Sequence, residues 1–204
     1  MEDVRRLAVI DFSNPDRQAN AKHLTEAMET VGFVYLDNVP GYNKEVEASL
    51  HEVADWFFSL PIEQKMRMSP KRWNKESTNM YRGYIPINMA DGHLREQYGM
   101  AETLPEDDPV RKSGHPLYEA TPWPLDVEKG AHFRDVIMSH YYAMTNAAME
   151  FLRLTAMGLG LDEHTFDDRF LPKPLSTIRV MHYPTYKGTE ANSKPVRNTL
   201  IPSL

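Results

Sequence analysis

Residues 175–184 read LSTIRVMHYP, and their side chains alternate between two faces as in a β-strand. The two faces carry Thr177, Arg179, Met181 and Tyr183 on one side, and Ile178, Val180 and His182 on the other. Proline has no N–H group to donate to a neighbouring strand, so Pro184 is expected to end the pattern. The sequence therefore predicts a strand over residues 175–183.

A long helix is predicted upstream of this strand, over residues 127–159. Its inner face repeats at helical spacing and carries Phe133, Ile137, Tyr141, Met144, Ala148, Phe151, Leu152 and Thr155. Gly158 and Gly160 are expected to stop the helix, because glycine favours the conformation that ends one. The last turns are apolar nearly all round, so this end of the helix should be buried.

The chain opens with a predicted strand, helix and strand. The strands cover residues 7–12 and 33–36, which are short apolar runs next to turn residues. Between them, Asn14 is expected to cap a helix that has Pro15 in its first turn. Gly32 occupies the usual position of a glycine just beyond a helix C-terminus.

A second helix is predicted over residues 44–59, where Asn43 caps an apolar stripe of helical spacing. The following segment, residues 63–125, is rich in proline, methionine and charged residues and shows no clear periodicity. Such a long irregular stretch is unusual in a compact domain, so we expect it to fold against something larger.

The composition of the 204 residues is globular, with 41% hydrophobic and 25% charged side chains. The formal net charge of −6 argues against nucleic acid or an anionic membrane as a partner. The absence of cysteine excludes disulfides, thiolate metal sites and a cysteine nucleophile. No signal peptide or membrane span is recognisable, so we expect a cytoplasmic protein. No glycine-rich phosphate loop follows either early strand, so a nucleotide-binding α/β fold has no support.

Several segments together resemble the N-terminal half of the isopenicillin-N-synthase-like iron(II)/2-oxoglutarate-dependent oxygenases. The matching segments are AVIDFS at 8–13, GFVYL at 32–36, WFFSLPIEQK at 56–65, YRGYIP at 81–86, REQY at 95–98, PWP at 122–124, GLGL at 158–161 and IRVMHYP at 178–184. Each segment alone is weak, but their order and spacing over residues 7–197 make a chance match very unlikely.

The resemblance implies an α+β fold: an N-terminal helical and strand region, followed by the first strand of a double-stranded β-helix (jelly-roll) whose barrel is incomplete. The implied division is a non-haem dioxygenase N-terminal region at 1–125, a support helix and first barrel strand at 126–186, and a divergent tail at 187–204. The resemblance ends near Arg197, so the tail is interpreted as a truncation.

The family holds Fe(II) through a His-x-Asp motif and a later histidine, which leave coordination positions for 2-oxoglutarate and O₂. None of the eight histidines here is followed two residues later by a carboxylate. We therefore expect no metal ligand and no catalytic residue in this chain. Intact relatives would use Fe(II) and 2-oxoglutarate, and this chain would bind neither alone.

Three residues acquire candidate roles from the resemblance. Tyr183 would face the barrel interior and contact the co-substrate, with a packed core tyrosine as the alternative. Arg82 and Tyr84 would line the substrate mouth, with a surface arginine and a turn aromatic as the alternative. His182 is expected to be structural, and His140 to be a surface or boundary residue.

Three functions remain open from the sequence. The first is the N-terminal part of an oxygenase-family protein whose intact relatives oxidise a small organic substrate, inactive alone. The second is a non-enzymatic truncated isoform that binds a partner or regulates one, including self-association through the incomplete barrel. The third is a zinc hydrolase built on His51, which has Asp55 where a zinc-protease helix needs a second histidine.

Overall fold

The structure is a computed structural model that describes residues 7–88, 94–170 and 175–185. Its strands are β1 (Ala8–Asp11), β2 (Val34–Asp37), β3 (Gly83–Ile85), β4 (Glu96–Met100) and β5 (Ile178–His182). Its helices are α1 (Arg17–Thr30), α2 (Lys44–Ser59), α3 (Ile62–Arg67), α4 (Pro109–Lys112), α5 (Gly130–Gly158) and α6 (Asp167–Phe170), with a 3₁₀ turn at Pro116–Tyr118. None of the described helices is long and apolar enough to span a membrane.

The chain divides into two compact units, each assembled from separate stretches of sequence. Among the described residues, the first unit contains 7–47 and 142–170, and the second contains 48–88, 94–141 and 175–185. Helices α2 and α5 therefore contribute residues to both units.

The first unit pairs β1 and β2 in parallel, with Ile10 opposite Leu36. Its small core joins the inner face of these strands to α1 and to the C-terminal part of α5, around Ile10, Ala21, Leu24 and Leu154. Gly158, the last residue of α5, comes so close to α1 that a side chain there would overlap Thr25. The unit thus depends on a close contact between two helices.

The second unit is built on an antiparallel sheet in the order β3-β4-β5. Tyr98 in the central strand lies opposite Tyr84 in β3 and Val180 in β5. These side chains face an aromatic core in which the rings of Phe57 and Phe133 stack with centroids 4.9 Å apart. Burial of such large rings is the main favourable term available to a unit of this size.

The segment predicted to be irregular contains ordered structure, so the prediction for residues 63–125 is wrong in part. It forms α3, β3, β4, α4 and the 3₁₀ turn. Backbone groups between these short elements bind side chains instead: the Glu119 carboxylate accepts hydrogen bonds from the amides of Met80, Tyr81 and Arg82. Periodicity fails here because side-chain-to-backbone bonds, rather than long helices, hold the segment.

The two long helices and the strands around them are confirmed. The predicted helices at 44–59 and 127–159 correspond to α2 and α5, and the predicted strand at 175–183 corresponds to β5. Gly32 has the positive φ of 79° expected after a helix, and the side chain of Asn43 accepts the amide of Val46 as a cap should.

Two local predictions are wrong. The cap of α1 is Asp16, whose carboxylate accepts the amide of Ala19, whereas Asn14 accepts the amide of Asp16 and shapes the preceding turn. His140, expected near the surface, has no exposed area. It lies on the inner side of α5, and burial lowers the pKa of its imidazole, which favours the neutral ring.

Candidate functional site

A buried polar cluster lies at one end of the three-stranded sheet. It consists of Lys65 on α3, Tyr84 on β3, Glu96 on β4 and His182 on β5. The carboxylate of Glu96 accepts from Lys65 Nζ at 2.8 Å and from the Tyr84 hydroxyl at 2.5 Å, both at Oε2. His182 Nδ1 lies 2.8 Å from the other oxygen, Oε1. A single carboxylate therefore connects a helix and three strands.

Burial and hydrogen bonding act in opposite directions on Glu96. Burial raises the pKa of its carboxyl group, but the bonds from Lys65, Tyr84 and His182 outweigh burial, so the pKa is lowered below its ordinary value of 4.5. Burial and the neighbouring carboxylate both raise the pKa of Tyr84, so its phenol stays protonated and donates. The cluster is accordingly an ionised carboxylate surrounded by donors, with a lysine as its counter-ion.

Arg82, predicted to line a substrate mouth, is buried, with only 3% of its surface exposed. Its guanidinium donates to the carbonyl oxygens of Glu102 and Glu119 through Nη1 and to that of Leu117 through Nη2. These bonds tie the start of β3 to the segments around residues 102 and 117–119, and the burial of Arg82 shows that the alternative of a surface arginine is wrong. The substrate role of Arg82 stays a prediction, and the contacts found give it a structural one.

Tyr84, the second predicted substrate residue, faces the aromatic core with only 1% of its surface exposed. Its hydroxyl is engaged by Glu96, as described above. Tyr183, predicted to contact the co-substrate, follows β5 and is partly buried beside Arg95. The structure thus places these two tyrosines in different environments, and the predicted role of each stays a prediction.

Sequence reasoning missed the role of Lys65 and Glu96. In the sequence, Lys65 stands out only as the last residue of the family-like segment WFFSLPIEQK, and Glu96 only as part of REQY. A signal was available in β4, where Glu96, Tyr98 and Met100 share one face, and an acidic residue in such a row requires a buried partner. His182, expected to be structural, contacts both Glu96 and the ring of Phe58.

The residues present do not fit an iron centre. No His-x-Asp or His-x-Glu occurs in the sequence, and the described residues contain no group of three histidine or acidic side chains able to hold a metal. His182 contacts the Glu96 carboxylate, but the Lys65 ammonium bonds to the same carboxylate and would repel a cation. His164 contacts the carboxylates of Glu163 and Asp167, but these already pair with Arg17 and Arg153. His51 and Asp55 are both exposed on α2 and gain no third ligand among the described residues.

Comparison with known proteins now identifies the fold. The family model described as non-haem dioxygenase in morphine synthesis, N-terminal, matches residues 7–126. The chain belongs to this non-haem dioxygenase family. The matched range contains β1 to β4 and the loops that Arg82 and Glu119 hold together.

Relatives of this chain include a 2-oxoglutarate-Fe(II) type oxidoreductase from Emericella nidulans, 26% identical over 89% of the chain and 54% of that protein. A full-length Neurospora crassa protein crystallised with alpha-KG and 5-formyluracil is 25% identical with a TM-score of 0.68, covering 90% of this chain and 54% of that one. A 2OG-Fe(II) oxygenase family protein from Caulobacter crescentus shares the fold with a TM-score of 0.72 at 22% identity, over 89% of this chain and 57% of that one.

The chain spans about half the length of the curated relatives it matches. Its mixed α/β fold is that of the 2-oxoglutarate/Fe(II) oxygenases. The family model and the curated relatives confirm the family predicted from the sequence.

Proposed function

We propose that this chain supplies the N-terminal support region and first barrel strand of a 2-oxoglutarate- and Fe(II)-dependent oxygenase that oxidises a small organic substrate. We further propose that these 204 residues do not perform the reaction by themselves. The single observation that carries the second part is the lack of a His-x-Asp motif in a chain of this family. Without two imidazoles and a carboxylate on one face, the chain lacks the ligand set with which oxygenases of this kind hold Fe(II).

A small-molecule substrate is supported by the Neurospora crassa neighbour, which was crystallised with alpha-KG and 5-formyluracil. In an intact protein of this kind, Tyr183 would contact the co-substrate from the end of β5, and Arg82 and Tyr84 would support the substrate mouth from behind. The division into 1–125, 126–186 and a tail at 187–204 belongs to the same proposal.

Iron binding tests the proposal directly. Equilibrium dialysis of the chain against anaerobic Fe(II), with and without 2-oxoglutarate, should leave equal iron on both sides of the membrane. Adding Zn(II) as a second probe also tests the hydrolase alternative at His51, and a His51→Ala variant would locate any zinc that is retained. One tightly bound Fe(II) per chain would overturn the proposal, because it would require a set of ligands other than the His-x-Asp motif that the sequence lacks.

A second candidate is a non-enzymatic role in which the chain associates with a copy of itself or a related chain. The supporting observation is the position of β5, which pairs with β4 on one side and has no strand on its other side among the described residues. An open strand edge is a template for pairing. Size-exclusion chromatography over a range of concentrations tests this: a growing oligomer fraction supports it, and a monomer at every concentration contradicts it.

A further inference from the structure

The sheet of the second unit has a face opposite its aromatic core, and the charge on this face differs in sign from the net charge of the chain. We call it the open face. Strand alternation directs Ile85, Gln97, Gly99, Arg179 and Met181 to this side, because Tyr84, Tyr98 and Val180 point into the core. None of these strand positions is acidic, although the whole chain has 29 acidic residues and a net charge of −6. The open face is therefore locally positive.

Two arginines supply this charge, and each lies against a tyrosine ring. The Arg95 guanidinium is 5.8 Å from the centroid of the Tyr183 ring, and its Nη1 is 3.4 Å from the tyrosine hydroxyl. The Arg179 guanidinium is 5.4 Å from the centroid of the Tyr81 ring and donates to that hydroxyl. Such stacking holds a guanidinium in place and leaves its edge free for a second, charged partner.

Neither guanidinium has a carboxylate partner within the described parts of the chain. Other partly exposed arginines do have one: Arg17 pairs with Glu150 and Glu163, and Arg153 pairs with Asp167. Arginines that lie on a sheet without a counter-ion are suited to an anion from outside.

Unsatisfied polar atoms on the same face give a second, independent indication. The Nε of Arg95 and the Oε1 of Gln97 are both enclosed, and neither has a hydrogen-bond partner among the described residues. Enclosed polar atoms are normally paired, so this donor and this acceptor, two residues apart on one strand, are suited to pair with groups from outside the chain. A carboxylate would accept from Arg95, and a hydroxyl beside it would donate to Gln97.

The rest of the face limits the size and character of that ligand. Gly99 lies opposite Arg179 in the register, so the two arginines are about 14 Å apart along β4. The surface between them is formed by Gln97 and Met181, which are opposite each other and only partly exposed. A small acid with an apolar portion could therefore bind Arg95 through its carboxylate and place its apolar portion against Met181. The positive charge of Arg179 would attract the acid as well.

We propose that the open face binds a small organic acid that carries a hydroxyl next to its carboxylate. Arg95 would hold the carboxylate, Gln97 the hydroxyl, and Arg179 would add the second positive charge. The inference rests on the proposed function, since it defines the substrate class for the oxygenase family member to which this sheet belongs.

The test uses mandelate, which combines carboxylate, hydroxyl and phenyl ring, and its neutral amide, mandelamide. In ¹H–¹⁵N spectra of the chain, mandelate should shift the Arg95 Nε–H signal saturably, and mandelamide should bind at least tenfold more weakly. Arg95→Gln should weaken mandelate binding by a similar factor. The matched control is Arg134→Gln, which removes an arginine paired with Asp135 on α5 and should leave binding unchanged.

Equal affinity for mandelate and mandelamide, or no saturable shift with either, would overturn the inference, and this comparison on the unmodified chain does not depend on any variant folding. An equal loss in the Arg95→Gln and Arg134→Gln variants would also overturn it, since binding would then reflect overall charge. These outcomes are separate from the proposed function, which fails on iron binding instead.

Discussion

Glu96 and His182 lie opposite each other in neighbouring strands, with His182 Nδ1 2.8 Å from Glu96 Oε1. An ionised carboxylate can only accept, so the imidazole donates in this pair. The other oxygen of Glu96 accepts from Lys65 and Tyr84. One buried charge therefore joins the last described strand to the rest of the unit, in addition to the backbone pairing of β5 with β4 and the burial of Ile178 and Val180.

Replacing Glu96 with glutamine should be strongly destabilising. The change leaves the Lys65 ammonium buried without its counter-ion, and breaking a buried pair from one side costs about 3–5 kcal/mol. Urea unfolding followed by circular dichroism measures the loss. Glu52→Gln, at an exposed position on α2, is the control and should stay within about 0.5 kcal/mol.

Adding Lys65→Met to Glu96→Gln should recover part of the loss, because the uncompensated charge is removed as well. If Glu96→Gln were as stable as the original chain, the cluster would contribute nothing and the assignment of its role would be wrong.

Stability should fall in acid through the same residue. The folded pKa of Glu96 is lowered from 4.5, so its contribution is present above that value and is lost as the pH falls through the lowered pKa. The free energy of unfolding should therefore decline below pH 4.5, and more steeply in the original chain than in Glu96→Gln. Other carboxylates titrate in both proteins, so the difference isolates Glu96. Parallel pH profiles would contradict this prediction.

Replacing Arg82 with methionine separates a structural role from a substrate role. The change leaves the carbonyl oxygens of Glu102, Leu117 and Glu119 without their donor, and should cost on the order of 3 kcal/mol. Thermal and urea unfolding measure it against Arg134→Met, a surface pair for which at most about 1 kcal/mol is expected. Unchanged stability in Arg82→Met would mean that the arginine is available for a ligand.

Replacing Gly158 with alanine should destabilise the first unit, although alanine at an unhindered helix position is favoured by about 1 kcal/mol. The added methyl group would overlap the Thr25 hydroxyl and lie 2.9 Å from the carbonyl oxygen of Ala21. Overpacking of this kind costs about 1–3 kcal/mol. In a Thr25→Ala background the loss should be smaller. A gain in stability from Gly158→Ala in the original chain would show that α1 and α5 are not in close contact.

The elements with strong local patterns could be predicted from the sequence. Asn43 and the apolar stripe of α2 define a helix through caps and periodicity, and the alternation at residues 178–182 defines a strand. Both signals are local, so neither depends on knowing what the element packs against.

The candidate sites were harder to predict because their partners are distant in the sequence. Glu96 is 31 residues from Lys65 and 86 from His182, and no local pattern brings these three together. Arg82 reads as a loop residue, yet it is buried because the carbonyl oxygens that it binds lie in residues 102–119. The short strands β3 and β4 were missed for the same reason, since pairing across the sheet, rather than propensity, defines them.

Succinate release tests the central claim most directly. The chain is incubated with Fe(II), ascorbate, O₂ and 2-oxoglutarate, with mandelate and then thymine as trial substrates, and succinate is quantified against a protein-free control. We predict no succinate above the control in any mixture, because the sequence has no His-x-Asp motif to hold the iron. Succinate that requires both the chain and Fe(II) would contradict the account and would show that these residues form a working oxygenase centre.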